Sequence, residues 1–177
     1  MCAEAVWWRC HRRVIADYLL LHGRDVLYLI EERAVGRPLL VTDVGVRLPA
    51  VLTASGLAML ARLPARQVRA LFPDRASLVQ RNGRGPAGPT ELRRLLIDVR
   101  TRGFGMEEDS VTEGLSSIAH ALLDHTGHPM AAVAITYEPA SVDEHKRRWL
   151  VERAAATADQ LSRRLGGRPL SRSLTGD

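Results

Sequence analysis

At 177 residues, with 46% hydrophobic and 25% charged side chains, the chain is long enough to bury one real core and too apolar for wholesale disorder. A net charge of +5 and a pI of about 10.0 allow weak attraction to anions, but three Trp, three Tyr and two Phe supply no stacking platform for nucleic-acid bases. Much of the excess charge is read at the ends (Arg9, Arg12 and Arg13 in front, Arg163, Arg164, Arg168 and Arg172 behind), as in solvated tails. Cys2 and Cys10 form neither a zinc spacing nor a disulfide framework, which points to a reducing cytoplasm. No apolar run reaches membrane-spanning length, and charges interrupt the N-terminal apolar stretch, unlike a secretory leader.

Residues 1–23 read as a linker or helix remnant. Val14, Tyr18 and Leu21 share a helical face, and Trp7 and Trp8 suit a core edge or an interface better than an aromatic ligand box. A Gly-Arg-Asp turn then introduces V-L-Y-L-I-E-E-R, rich in strand formers. Gly36-Arg37-Pro38 breaks that strand, Leu39–Val44 is expected as the next, and its loop continues to Pro49. Thr53 or Ser55 can cap a helix carrying Leu57, Leu60 and Ala61 on one face; Pro64 opens another helix and Pro73 closes it. After a Gly/Pro-rich loop from Arg81 to Pro89, Thr90 is expected to cap a helix bearing Leu92, Leu95, Leu96 and Val99, ended by Gly103.

Beyond Gly103 come a short strand and three consecutive acids. Two apolar strands follow, Leu115–Leu123 and Pro129–Tyr137, joined by Asp124-His125-Thr126-Gly127-His128, which is hairpin chemistry. These strands are tiled with small side chains, among them Ser116, Ser117, Ala119, Ala132, Ala134 and Thr136, leaving room above a sheet for a packed helix or a ligand. Ser141 and Glu144 have capping-box spacing at the head of a long helix with Val142, Trp149, Leu150, Ala154, Ala158, Leu161 and Leu165 along one stripe, stopped by Gly166-Gly167. Residues 168–177 read as a disordered tail. Antiparallel strands grouped apart from helices make the fold α+β.

A catalytic reading would combine Glu107, Glu108 or Asp109 with Ser117, His120 or Thr136, but no nucleophile elbow or phosphate loop orders them. His120, His125 and His128 lack the spacing of a metal site, so neither a metal nor a cofactor is expected. A binding reading is stronger. Ala54-Ser55-Gly56 at a helix start offers backbone N–H groups to an anion, and Ser117 and Thr136 on adjacent strands can fix one end of a small polar ligand. The alternative for the same residues is a helix cap over small side chains.

The motifs V-L-Y-L-I-E, G-R-P-L, L-T-A-S-G-L-A-M-L-A-R-L-P, L-R-R-L-L-I-D-V-R-T-R-G-F-G, G-L-S-S-I-A, D-H-T-G-H-P-M-A-A-V-A-I-T and Q-L-S-R-R-L-G-G occur in that order between about Arg24 and Gly167. In this order they resemble the effector-binding half of IclR-type transcriptional regulators. The resemblance implies a GAF-like antiparallel sheet flanked by helices over 24–167, holding a small organic acid effector, a carboxylate or an aromatic acid, in a pocket above the sheet. It also implies assembly into homodimers or homotetramers. The pocket positions fall on Ala54, Ser55, Glu107, Ser117, Ala134 and Thr136, with Leu48, Leu52 and Met59 expected as the apolar wall. The family usually carries Cys where Ser117 stands, Lys where Leu57 stands and Pro near Ala121, and often Asp and Glu where Glu107 and Ser110 stand. Ala134 replaces a position that can carry a hydroxyl. Only about twenty residues precede the first strand expected here, so DNA contact is expected only through a winged helix-turn-helix that this chain does not contain. Two other readings stay open: an enzyme processing a small acid, with Glu107 as base assisted by Ser117 or His120, and a dimerisation module whose pocket is filled by side chains.

Overall fold

The computed structural model describes residues 14–33, 44–81 and 83–167. Val14–His22, expected as a helix within the 1–23 linker, is strand β1. An apolar run such as V-I-A-D-Y-L-L-L fits a helix or a strand covered on both faces, and periodicity does not separate the two. A partner decides it: Gly23, left-handed at φ 64°, opens a two-residue turn into β2 (Asp25–Arg33), which pairs antiparallel with β1. Of the strand expected at Leu39–Val44, residues 39–43 lie outside the described residues and Val44-Gly45 is a turn; the strand is β3 (Arg47–Pro49), within the stretch expected as loop. The cysteines, Trp7, Trp8 and the tail 168–177 also lie outside the described residues.

A 3-10 turn at Ala50–Leu52 leads into α1 (Ala54–Leu60), capped by Thr53, whose Oγ1 accepts from the Gly56 N–H at 3.0 Å. Helix α2 (Ala65–Leu71) starts after Pro64. Helix α3 (Pro89–Arg102) is entered from Gly88 with Pro89 in its first turn, so Thr90 lies inside the helix and is not its cap; Gly103 (φ 90°) closes it, its N–H donating to the Val99 carbonyl at 2.8 Å. Then come β4 (Gly105–Glu108), β5 (Ser116–Leu123) and β6 (Pro129–Tyr137). Helix α4 (Glu144–Arg164) is capped by Asp143, which accepts from the Lys146 N–H at 2.7 Å. The expected capping box does not form, because Ser141 belongs to a preceding 3-10 turn and donates to the Glu138 carbonyl at 2.9 Å. Leu165, at the end of the expected stripe, lies past the last helical turn and is 60% exposed.

The strands form one antiparallel sheet in the order β3-β2-β1-β6-β5-β4. Helix α1 lies on one face across β4, β5 and β6, with α3 against α1; helix α4 covers β5 and β6 on the other face. Strand parity divides the core accordingly. Leu19, Val26, Ala119 and Ala132 join Met59, Leu60, Leu92 and Leu96 on the α1 side, while Ile118 and Ile135 meet Leu150 and Ala154 of α4. A buried leucine such as Leu60 or Leu96 contributes about 1.5–3 kcal/mol relative to exposure. No helix among the described residues is long and apolar enough to cross a membrane.

Gly105 sets the height of α1 above the sheet. A Cβ there would collide with the Ala54 carbonyl oxygen and stand 2.9 Å from the Ala58 nitrogen, so the helix backbone rests directly on β4. Gly105→Ala is expected to cost about 2–3 kcal/mol, the upper range of overpacking penalties, and Thr53→Ala about 1 kcal/mol through loss of the cap. Urea denaturation monitored by far-UV circular dichroism measures both, with Gly114→Ala, in open space but left-handed at φ 77°, as the strain-only comparison.

Candidate functional site

The face beneath the start of α1 carries polar groups where a core would be apolar. Parity and register align them. Asp17 of β1 lies opposite Ala134 of β6, Thr136 opposite Ser117 of β5, and Ser117 opposite Glu107 of β4. Tyr28 of β2 joins from the far side. Thr53, Ala54 and Ser55 form the roof, and Val111, Thr112 and Leu115 of the β4–β5 loop form a side wall. The enclosed cavity is about 20 Å³, counted as space open to the centre of a water-sized sphere. That holds one water, since a single water needs roughly 10–15 Å³ on this measure.

The hydrogen bonds run in two sets. On the floor, Ser117 Oγ and Thr136 Oγ1 lie 3.0 Å apart, and the Ser117 hydroxyl also supports the Glu107 carboxyl. Glu107 Oε2 accepts from the Ser110 N–H at 3.0 Å, which ties the floor to the loop wall. In the roof, the Ser55 hydroxyl donates to Thr53 Oγ1 at 3.4 Å, so it reinforces the helix cap. Burial pushes the Glu107 carboxyl above its ordinary value of 4.5, against the opposing pull of its Ser117 and backbone hydrogen bonds. Tyr28 is raised by burial first, then by the negative charges of Asp17 and Glu107. Asp17 is only 2% exposed and Glu107 8%.

All six polar and small residues singled out in the sequence, Ala54, Ser55, Glu107, Ser117, Ala134 and Thr136, line this one cavity. Leu48, Leu52 and Met59, expected as its apolar wall, do not. Leu48 and Met59 are packed in the core, Met59 one helical turn beyond Ser55, and Leu52 lines a neighbouring open cleft of about 500 Å³. Glu107 borders both spaces. His120 is three residues from Ser117 and therefore on the opposite face of β5, beside Phe104 at 5.9 Å between ring centroids and near the Val151 backbone of α4. It cannot assist Glu107 from there. Its ring nitrogens make no well-formed hydrogen bond, and burial, aided by the charge of Arg62, lowers it to about 4. His125 lies in the β5–β6 turn and His128 immediately before β6; no group of three or more His, Cys, Asp or Glu suited to a metal occurs among the described residues.

Asp17, Tyr28 and Thr112 were not anticipated as cavity residues. An acid inside the apolar run V-I-A-D-Y-L-L-L was the available signal for Asp17, but reading the run as a helix hid which face it takes. Tyr28 follows once β1 and β2 are recognised as a hairpin, because Leu19 pairs with Tyr28 and shares its face with Asp17.

The fold is shared with proteins of known class. The C-terminal domain of the bacterial transcriptional regulator IclR, as a family, matches residues 16–163. A Pca regulon regulatory protein of Pseudomonas putida is 31% identical over 147 residues, 81% of this chain and 50% of its own length, so the chain spans about half of that curated relative. Among solved structures, the repressor BlcR of Agobacterium tumefaciens superposes with a TM-score of 0.76 at 27% identity, covering 86% of this chain and 60% of that one. The IclR protein of Thermotoga maritima gives a TM-score of 0.79 at 22% identity, over 92% and 65% of the two chains. The C-terminal domain of the Escherichia coli regulator KdgR gives 0.76 at 20% identity, over 91% and 92%. These last two establish the fold alone. The relatives are transcriptional regulators, not enzymes. The chain belongs to the IclR family of bacterial transcriptional regulators, and residues 16–163 correspond to the family's C-terminal, effector-binding domain.

Proposed function

We propose that the cavity beneath α1 is the effector site, and that its ligand is a small organic acid held by Ser117, Thr136 and Glu107. The observation that carries this reading is the convergence of Ala54, Ser55, Glu107, Ser117, Ala134 and Thr136, from α1, β4, β5 and β6, on one buried polar space. The class of ligand follows from the charges. A carboxylate entering beside Glu107 is repelled unless one proton is shared, and a carboxyl already raised by burial is suited to hold that proton. Any acid is larger than the one water the closed cavity holds, so the Val111–Leu115 wall must withdraw on binding, less for a small polar acid than for an aromatic one. The open cleft on the other side of Glu107 is the approach route. Binding then shifts the balance between oligomeric or interdomain arrangements of a regulator acting in the cytoplasm. Leu20, Leu29 and Ile30, 36%, 40% and 50% exposed on the β1–β2 hairpin, provide apolar surface for self-association into dimers or tetramers.

The 20 Å³ volume favours one competing reading, a structural module whose pocket is filled by its own side chains. A thermal-stability screen against small carboxylic acids separates them. A ligand at 100 times its dissociation constant adds about 2.7 kcal/mol, a rise of about 5–10 °C for a chain of this size. Thr136→Val, which removes one hydroxyl at nearly constant shape, is expected to weaken the hit about tenfold, and Ser117→Leu to abolish it while the protein stays folded. Unchanged affinity in both folded variants would remove the cavity from consideration, and a silent screen would support the structural module.

Glu107 also makes a pH prediction. Its folded-state value lies above 4.5, so the native state retains a proton that the unfolded chain has released. The stability linked to this group is therefore full below pH 4.5 and is lost as pH rises through the folded value. Urea midpoints measured across that window should decline more for the wild type than for Glu107→Gln. Parallel profiles would show that Glu107 titrates normally.

A further inference from the structure

Away from the sheet cavity, the surface between α2 and α3 holds a groove of about 190 Å³. Its floor is the outer side of the core: Val68 and Phe72 from α2 and the loop after it, and Leu92 and Leu96 from α3. Its rim carries Arg69, Arg93 and Arg100. None of the three guanidiniums makes an ion pair among the described residues. Arg100 is held in place through Nε, which donates to the Ala61 carbonyl at 2.6 Å and leaves its terminal nitrogens unspent. The local field is positive: residues 62–102 contain ten arginines against Asp74, Glu91 and Asp98, a surplus of seven where the whole chain has a surplus of five. Arg62, partly buried beside Arg100, is pushed below the ordinary arginine range by burial and then by that neighbouring charge.

We infer that the α2–α3 groove is a second ligand site, for a carboxylate whose apolar body is about one aromatic ring in size. Size and charge select the ligand independently. A closed apolar cavity of about 150 Å³ holds benzene, so the groove has room for one ring with no rearrangement, whereas the sheet cavity has room for one water. An apolar floor under an unpaired cationic rim matches a molecule with an apolar body and a single anionic head, and an uncharged isostere leaves the rim unanswered. Single exposed arginines are ordinarily solvated, but here three converge on one concave apolar surface and one of them is fixed in position.

The test is isothermal titration of the 177-residue chain with benzoate at low ionic strength, and with benzyl alcohol as the uncharged counterpart. Benzoate is expected to saturate one site, and benzyl alcohol to bind about tenfold more weakly or worse. The double reversal Arg69→Glu with Arg93→Glu is expected to weaken benzoate by about tenfold or more, and 0.5 M salt to weaken it in the wild type. Ser117→Leu, which closes the sheet cavity, should leave this affinity unchanged. If the double reversal lowers the melting temperature, Arg93→Gln supplies the same comparison at smaller amplitude. The inference is overturned if benzoate does not bind, if benzyl alcohol binds equally well, or if the arginine variants retain full affinity. Loss of benzoate binding in Ser117→Leu would likewise overturn it and assign the acid to the sheet cavity, so this proposal and the effector-site proposal fail separately.

Discussion

The contact on which the molecule depends is the direct seating of α1 on β4. With no side chain at Gly105, the helix backbone meets the strand, and Gly56 permits an equally close approach to Ala50 in the turn that precedes the helix. Both glycines fix α1 in height and direction, which places Thr53, Ala54 and Ser55 over the polar row of the sheet. A helix standing a few ångströms higher would open the cavity to bulk water, and the raised values of Glu107 and Tyr28, which depend on burial, would relax. The small residues of β5 and β6 serve the same end, since larger side chains at Ala119, Ala132 or Ala134 would lift the helix off the sheet.

Below that roof the structure holds an unfavourable arrangement in place. Asp17 and Glu107 are buried on one face with the Tyr28 hydroxyl between their influences, and burying carboxyls costs several kcal/mol each unless hydrogen bonds or protonation offset it. Glu107 gains such bonds from Ser117 and from the loop backbone at Ser110. The loop wall is therefore attached to the floor through a group whose protonation a ligand can change. On the proposed reading, occupancy would be coupled to the position of residues 109–115, which is a physical means for a small molecule to bias two states. The α2–α3 groove has the opposite character, with cations around an open apolar floor, so the two spaces differ in the charge of their linings and in size.

The sequence was most legible where local chemistry acts alone. The β5–β6 hairpin is legible to within a residue because its strands are mostly apolar and Asp124 nucleates the turn, accepting from Thr126 N–H at 2.8 Å and His128 N–H at 2.9 Å. Thr53 and Gly103 marked helix ends for similarly local reasons. Legibility failed where pairing decides. Val14–His22 has no intrinsic preference that separates strand from helix, and a register shift between Tyr18 and Leu19 then determines how Asp17 is placed relative to Tyr28. Of the cavity, the hydroxyls and Glu107 were visible through an ordered set of motifs, but the apolar wall was not, because Leu48 and Met59 satisfy the same hydrophobic pattern by packing in the core. The basic rim is not legible in the sequence for a related reason. Arg69 and Arg93 are distant in sequence, and only the folded chain brings α2 and α3 to one groove.

Amide hydrogen exchange of the folded chain, with and without the strongest acid from the stability screen, tests the central claim most directly. If the cavity under α1 is the effector site, the ligand slows exchange at residues 53–58 and 105–117, the roof and the loop-bearing wall. Protection confined to residues 65–72 and 89–100, or no change in the roof and wall at saturating ligand, would contradict it.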